Sequence, residues 1–139
     1  MAEIETIRRV IGPESCDMLG HLNVSGYIAL ASDGGFAIIA AFGLGPEHVT
    51  GGRMQSFAVV HSDAKFRAEV RPGDEVVVRS GLLEVGGASA KFRHRIFVGE
   101  KLVFETVFTC ALFDLKGRKA VMIDEELRQA MSAYLVDAE

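Results

Sequence analysis

The chain has 139 residues, of which 49% are hydrophobic and 24% charged, and its formal net charge is -4 at pH 7. This size fits a single domain, residues 1-139, with a hydrophobic core of its own, and the composition excludes a disordered or fibrous protein. The negative net charge argues against nucleic acid or an anionic membrane as the main partner, because phosphate contacts need clustered Lys and Arg.

The first ten residues, MAEIETIRRV, alternate charged and apolar side chains and contain no uninterrupted apolar stretch of the signal-peptide type. We predict a strand near Ile4 to Ile11. Farther along, Cys16 and Cys110 stand in no Cys-x-x-Cys or Cys/His ligand spacing, so we expect neither a disulfide-stapled secreted scaffold nor a metal site. Two reduced thiols fit a cytoplasmic protein.

From Val24 to about Phe42, apolar residues recur at helical spacing with few charges on any face. This pattern predicts a long helix that is buried on most sides, with Asn23 as its N-cap. Gly34 and Gly35 lie inside it, and each weakens a helix by ~1 kcal/mol relative to Ala, so we expect a close packing contact or a kink there. The longest apolar tract, Phe36 to Leu44, is far below the ~20 residues that cross a bilayer, so we expect no membrane span.

After this helix, apolar residues recur at every second position. This spacing, interrupted by turn residues, is typical of half-buried strands joined by short turns. We expect one antiparallel meander. One face of its first strand is expected to be buried and consists of Ala58, Val60, Ala64, Phe66, Ala68 and Val70. A final amphipathic helix, capped by Asp124, is expected to continue as far as Leu135. The predicted strands are Ala58 to Val70, Glu75 to Val85, Ala88 to Val98 and Lys101 to Asp114, with Lys119 to Ile123 as an extension of the sheet.

A helix this apolar must be covered by the only other large apolar surface in the chain, the inner face of the curved sheet. The sequence therefore predicts an α+β protein of the hotdog fold, in which an antiparallel β-sheet wraps around a long central helix. Such a sheet leaves edge strands open and one face uncovered, so we expect a homodimer or a homotetramer.

The segment from Cys16 to Tyr27, CDMLGHLNVSGY, places the carboxylate of Asp17 a few residues before the start of the helix. The first N-H groups of a helix are unpaired and carry the positive end of the dipole, so they can bind the oxyanion that forms on a thioester carbonyl. Asp17 can attack that carbonyl directly or take a proton from an attacking water, and the spacing leaves both routes open.

This segment resembles the 4-hydroxybenzoyl-CoA thioesterase family of hotdog proteins. The family pattern has Asp, often Gly three residues later, frequently His-Val-Asn, and Tyr ten residues after the Asp. The matching positions here are Asp17, Gly20, His21, Asn23 and Tyr27. The resemblance implies an acyl-CoA thioesterase in which Asp17 is nucleophile or base and the Val24 N-H is the oxyanion donor. It also implies that coenzyme A is part of the substrate and that no metal or organic cofactor is needed.

The helix departs from the family pattern at Ser32-Asp33-Gly34-Gly35, where the family often has an acidic residue and an Arg after an aromatic pair. Some hotdog thioesterases carry their essential acid within the helix, so Asp33 is the rival for the catalytic role. Because an unpaired charge on a buried helix is costly, Asp33 is expected to find a partner or water. We expect His21 to order the loop by hydrogen bonding rather than to transfer protons.

The candidates for substrate binding are Asn23, Tyr27, Phe36 and His61. A weaker resemblance around Asp17 to Phe36, to thioesterases that act on betainyl-CoA, implies a short cationic acyl group. Since the chain has no Trp, Tyr27 and Phe36 would have to hold such a cation with the other Phe residues. His61 shares a strand face with Lys65 and Arg67, which is typical of a solvated face, and a role in a pocket is the alternative.

Three cationic residues lie on one strand face, namely Lys91, Arg93 and Arg95. Salt-bridged surface charge is the default interpretation, and binding of the coenzyme A phosphates is the alternative.

Two other functions compete with hydrolysis. A hotdog enoyl-CoA hydratase or dehydratase would need an Asp and a His across the enoyl group, and the expected motif is missing. A non-catalytic acyl-CoA binding module would have lost the acid, and the presence of Asp17 argues against it.

Overall fold

The computed structural model describes residues 3-137. One six-stranded sheet, antiparallel throughout, curls around a long helix that follows the first strand. This is the predicted arrangement of helix and sheet. The elements in chain order are β1 (Ile4–Val10), α1 (Val24–Ile39), the single turn α2 (Pro46–His48), β2 (Gln55–Phe66), β3 (Glu75–Val85), β4 (Ser89–Val98), β5 (Lys101–Asp114), β6 (Lys119–Ala120) and α3 (Glu125–Ser132).

The strand order is β1-β3-β4-β5-β2, with β6 paired to β5. The prediction of one continuous meander is therefore wrong at β2, which pairs with β5 and not with β3, the next strand along the chain. Residues 67-74 instead carry the chain across the end of the sheet, where Ala68 N-H donates to Val103 O and Gly73 N-H donates to Ile11 O. A turn signal of Pro and Gly marks where the chain bends, but it does not say which strand comes next in the sheet.

Helix α1 packs against β1, β3 and β4. Gly34 lies at the closest approach, because a Cβ at this position would be 3.0 Å from the hydroxyl oxygens of both Ser80 and Thr6. Gly34 therefore allows a close packing contact, and the helix continues through the glycine pair without a kink. The helical path is disturbed only beyond Ile39, where Gly43 has a φ of 107° that favours glycine.

The helical stretch Val24–Leu44 has 21 residues and contains an 18-residue window with a mean hydropathy of 1.6, so by length and composition alone it could cross a bilayer. The uninterrupted apolar tract from Phe36 to Leu44 is only the last part of this stretch, whose other apolar residues are separated by Ser, Gly and Asp. The central helix of a globular core has the same composition, and the inward side of α1 packs on the molecule's own sheet.

Strand β2 is an edge strand, and only Phe57 of its side chains is buried. The expected burial of Ala58, Val60 and Phe66 is wrong, because a register shift between Val59 and His61 interrupts the alternation and β2 lies at the border of the sheet. The last strand and the last helix are also shorter than predicted. Strand β6 ends at Ala120, and α3 ends at Ser132, so that Leu135 lies outside the helix, where it forms a bridge with Leu82.

Candidate active site

A cavity of about 350 Å³ opens at the start of α1, and we call it the Asp17 cavity. Its walls come from the loop ahead of α1, from the first helical turn and from the residues at the end of β2. The structure brings four of the predicted site residues to this cavity, namely Asp17, His21, Val24 and Tyr27.

Asp17 stands at the start of a tight turn. Gly20 N-H donates to Asp17 O at 3.0 Å, and Asp17 N-H donates to His21 O at 3.1 Å. Gly20 has a φ of 86°, which favours glycine and explains its place three residues after the Asp. The carboxylate oxygen Oδ1 accepts the Leu19 N-H at 2.9 Å, while Oδ2 accepts no hydrogen bond from residues 3-137. One oxygen is therefore anchored, and the other is free to react.

The start of α1 leaves a backbone donor unused. Asn23 occupies the N-cap position, but its side chain does not cap the helix as expected, because its amide donates to Ser25 Oγ at 2.9 Å. Among the hydrogen bonds formed within residues 3-137, none has the Val24 N-H as its donor. Val24 is also 59% exposed, so a ligand can reach this end of the helix, where the dipole favours negative charge.

Tyr27 and His21 support the walls of the Asp17 cavity. The Tyr27 ring is 4% exposed and packs against Phe66 and Phe104, with ring centroids 5.4 and 5.3 Å away. Burial raises the pKa of the Tyr27 phenol, which keeps it a protonated donor to Ala68 O at 2.8 Å. His21 Nδ1 lies 3.2 Å from Leu22 O, and the His21 carbonyl accepts the Asp17 N-H.

The other predicted site residues lie outside the Asp17 cavity. Asp33 pairs with Arg9 of β1 at 3.2 Å, and 47% of its side chain is exposed. Its expected burial is therefore wrong, because this side of α1 is turned to solvent. His61 is exposed on β2. Phe36 lines a different cavity, and Asn23 borders the helix start without lining the Asp17 cavity.

The second cavity, of about 200 Å³, lies between α1 and strands β2, β4 and β5. We call it the His94 cavity, because the buried imidazole of His94 lines it. The residues that line it include Gly35, Phe36, Phe57, Phe92, His94 and Phe108.

Sequence reasoning missed His94, although a signal was present. In β4 the residues Phe92, His94 and Ile96 share the face opposite the charged side chains, so a histidine stands in an otherwise apolar row. On the opposite face, Arg93 and Arg95 pair with Glu3 at 3.2 and 2.6 Å. The salt bridges predicted for Arg93 and Arg95 are confirmed, but the expected surface position is wrong for these two residues, since their side chains are only 13% and 30% exposed.

A third cavity, of about 640 Å³, shares Arg67, Ala68 and Glu69 with the Asp17 cavity and is also lined by Arg71 and Lys101. Arg67 pairs with Glu105, and Arg71 lies 3.7 Å from Glu69. Cationic groups therefore border the outer side of the Asp17 cavity. Within residues 3-137, no three His, Cys, Asp or Glu side chains gather in a way that could hold a metal ion.

The sequence profile of the Thioesterase-like superfamily matches residues 11–131. No curated protein sequence matches the chain. Among solved structures, the hypothetical protein SAV2348 from Staphylococcus aureus, in complex with CoA, has a TM-score of 0.86 at 12% identity, over 96% of this chain and 85% of that chain.

The hypothetical protein TT1821 from Thermus thermophilus has a TM-score of 0.83 at 25% identity, over 96% of this chain and 99% of that chain. A predicted thioesterase from Bacillus stearothermophilus has a TM-score of 0.86 at 14% identity, over 99% of this chain and 100% of that chain. These likenesses extend over nearly the whole chain and confirm the predicted α+β hotdog fold.

Proposed function

The chain belongs to the thioesterase-like superfamily, and on this basis we propose that it hydrolyses an acyl-CoA thioester to a free acid and coenzyme A. The observation that carries the proposal is the Asp17 cavity, which places a carboxylate with one free oxygen beside an unused helix N-terminal donor. The presence of CoA in the SAV2348 complex supports a ligand of the coenzyme A type.

In this mechanism the thioester carbonyl oxygen accepts the Val24 N-H, and the positive end of α1 stabilises the oxyanion that develops there. Asp17 Oδ2 then attacks the carbonyl carbon, the C-S bond breaks, and coenzyme A leaves as the thiolate, so that a mixed anhydride remains for water to hydrolyse. In the alternative route, Asp17 takes a proton from water as the water attacks. Neither route uses a metal or organic cofactor.

The third cavity supplies a place for the coenzyme A phosphates. It adjoins the Asp17 cavity, as expected for the far end of a substrate whose thioester lies at the start of α1. Arg71 and Lys101 are exposed there, and charge-assisted hydrogen bonds to phosphate are stronger than neutral ones. This assignment replaces Lys91, Arg93 and Arg95, whose charges are engaged by Glu84 and Glu3 on the outer face of the sheet.

The same proposal includes a homodimer, which can assemble further into a tetramer. Strand β2 has a free edge and exposes Val59, Val60 and Phe66, and Phe36 of α1 is exposed as well. An unpaired edge with apolar side chains favours pairing with a second copy.

Antiparallel pairing of two β2 strands would also complete the site. The Asp17 cavity includes Phe66, near one end of β2, and the His94 cavity includes Phe57, near the other end. In a symmetric antiparallel pair, opposite ends of the two strands lie side by side. The Asp17 cavity of one protomer would therefore lie near the His94 cavity of its partner, and the acyl group would extend from one into the other.

The direct test is release of free thiol from a panel of acyl-CoAs, measured beside binding of the same compounds by calorimetry. Hydrolysis that depends on Asp17 supports the proposal. Binding without hydrolysis would identify a binding module, and addition of water to an enoyl-CoA would identify a hydratase.

The free thiols of Cys16 and Cys110 support a reducing compartment, and we propose that the protein is located in the cytoplasm.

A further inference from the structure

A second carboxylate lines the Asp17 cavity. Glu69 lies in the segment between β2 and β3 and also borders the third cavity, so it stands between the proposed places of the thioester and of the coenzyme A phosphates. Its side chain is 57% exposed, and Arg71, its ion-pair partner, is 3.7 Å away, which is too far for a hydrogen bond. Within residues 3-137, no group donates a hydrogen bond to this carboxylate. It is therefore open to a ligand or to water in the Asp17 cavity.

Two hydrogen bonds hold the backbone on either side of Glu69 against the start of α1. The Tyr27 phenol donates to Ala68 O at 2.8 Å, and the Leu22 N-H donates to Val70 O at 2.7 Å. Burial is the main cause of the raised pKa of Tyr27, and the negative charge of Glu69 adds to it, so this carboxylate lies near the phenol. Glu69 thus has a defined place beside the helix start, although its side chain is exposed.

Glu69 differs in this freedom from the other acidic residue of the third cavity. Among residues 3-137, the acidic side chains that line the Asp17 cavity and the third cavity are Asp17, Glu69 and Asp74. Asp74 Oδ2 accepts the Arg71 N-H at 2.9 Å and closes the turn before β3. Asp17 Oδ2 and the carboxylate of Glu69 are left without a hydrogen-bond donor, so both are available to a bound substrate.

The route in which Asp17 attacks the thioester directly needs a second base. After the attack, the Asp17 carboxylate is part of the mixed anhydride and can no longer take a proton from water. A base that is held in position typically speeds such a proton transfer by about 100-fold to 10,000-fold. The remaining free carboxylate of the same cavity is that of Glu69.

We propose that Glu69 is a second catalytic carboxylate, which takes a proton from the water that hydrolyses the anhydride formed on Asp17. This inference rests on the proposed thioesterase function and on Asp17 as the nucleophile. The water oxygen forms a bond to the acyl carbon, the bond from that carbon to the Asp17 oxygen breaks, and Asp17 leaves as a carboxylate. One proton of the water passes to Glu69, which releases it to solvent, and the other stays on the product acid.

The test follows thiol release by Glu69→Gln from the first moments after mixing with an acyl-CoA. The amide keeps the size of the side chain but cannot take the proton. We expect a burst of about one thiol per active site, because the acyl-enzyme accumulates. Turnover after the burst should be slower than that of the wild-type enzyme by about 100-fold to 10,000-fold. Intact-protein mass spectrometry after an acid quench should show the added acyl group, and Asp17→Asn should show neither the burst nor the added mass.

A role that acts only through Arg71 gives a different result. If Glu69 merely oriented Arg71 toward a phosphate, Glu69→Gln would raise KM for acyl-CoA and leave kcat unchanged, and this outcome would overturn the proposal. As a base, Glu69 should be needed equally for acyl-CoA and for acyl-pantetheine, which lacks the nucleotide phosphates. Glu84→Gln is the matched control, because Glu84 is 62% exposed, has one distant cationic partner and lines neither cavity. It should keep the wild-type kcat and show no burst.

Glu69→Ala is the second variant, and it makes room for a base from solution. Added formate should raise its kcat several-fold, since a small carboxylate can take the missing place. Formate should not restore Asp17→Asn, in which no anhydride forms. Both Glu69 variants should keep the circular dichroism spectrum of the wild-type protein, because substitutions of exposed side chains seldom unfold a domain.

The inference is overturned if Glu69→Gln keeps the wild-type kcat, or if its kcat falls without a burst and without an acyl-enzyme. An active wild-type enzyme beside an equally active Glu69→Gln variant rejects the role of Glu69 alone. If the wild-type protein releases no thiol from any acyl-CoA, it is the thioesterase function that fails, and the role of Glu69 fails with it.

Discussion

The phenol of Tyr27 donates a hydrogen bond of 2.8 Å to the carbonyl oxygen of Ala68. Tyr27 belongs to the first turn of α1, and Ala68 lies just beyond the end of β2. This bond joins two segments that are far apart in sequence, and both line the Asp17 cavity. Because the ring is buried, the bond holds the Val24 N-H and the opposite cavity wall at a defined separation.

Replacing Asp17 by Asn removes the proposed nucleophile or base and leaves the shape of the site intact. We expect kcat to fall at least ~100-fold, with substrate still bound, since an amide can take neither role. Thiol release and calorimetry measure the two quantities. The matched control is Asp33→Asn, which changes a half-exposed carboxylate and should leave most activity in place. The opposite result would assign the essential acid to α1.

Replacing Val24 by Pro removes the proposed oxyanion donor. Val24 is the first residue of α1, where Pro is tolerated, and Asn23 before it is already extended, with a ψ of 155° that suits a residue preceding Pro. Loss of one oxyanion donor costs ~2.7–4 kcal/mol, so kcat should fall about a hundredfold to a thousandfold. Val24→Ala keeps the N-H and should stay active. Wild-type turnover in a Pro variant that is folded by circular dichroism would show that this N-H is not the donor.

A charge on the free edge of β2 should weaken the proposed dimer. Val60 is 65% exposed in the single chain, so Val60→Lys should leave the protomer folded while shifting light scattering toward monomer and lowering kcat/KM by about tenfold. Val10 is 62% exposed on β1, at the other edge of the sheet, and Val10→Lys serves as the control. Dissociation by the Val10 variant alone would place the interface at β1.

Removing the positive charge of Lys101 should affect only substrates that carry the coenzyme A phosphates. For Lys101→Gln we expect KM for an acyl-CoA to rise by about fivefold, the effect of one exposed ion pair of ~1 kcal/mol. KM for the matching acyl-pantetheine, which lacks the nucleotide phosphates, should not change. Lys91→Gln, on the outer face near Glu84, is the control. An equal rise with both substrates would contradict the phosphate role.

Acid should destabilise the fold through His94. Its pKa is lowered to about 4 by burial, against an ordinary value of 6.5. Between these values the unfolded chain binds a proton that the native state does not, so the free energy of unfolding falls as the pH drops from 6.5 to 4. The full effect is about 3 kcal/mol. Urea denaturation measures the free energy of unfolding at each pH. Its dependence on pH between 4 and 6.5 should be weaker in His94→Phe and unchanged in the control His61→Gln, which replaces an exposed histidine. Equal slopes in all three proteins would contradict a buried neutral ring.

Much of the fold could be predicted because its signals are local. The apolar spacing of residues 24-39 identifies a buried helix, and the alternation and turns after residue 74 identify β3, β4 and β5. The place of β2 could not be predicted, because its pairing with β5 depends on a crossover that the turn at residues 71-74 does not encode. The exposure of Val60 follows from that place at the edge, since nothing pairs beyond β2.

The candidate site was predicted in part for the same reason. Asp17, His21, Val24 and Tyr27 are close in sequence, and a single turn leading into a helix brings them together. The apolar neighbours of Asp33 along the helix predicted that it is buried. Its exposure depends on which face of the helix meets the sheet, and this is not encoded by neighbouring residues. His94 was overlooked because its importance comes from partners on other strands, Ser80 and Thr6.

By itself, then, the sequence determined the helix, the strands and the carboxylate ahead of α1, because hydrophobic period, turn chemistry and short spacings are properties of neighbouring residues. Only the tertiary structure decided the edge position of β2, the ion pair of Asp33 with Arg9 and the burial of His94 beside Ser80. These features arise between residues that are far apart along the chain. Their positions are set by the packing of α1 against the sheet, where the glycine at position 34 lets helix and strands meet closely.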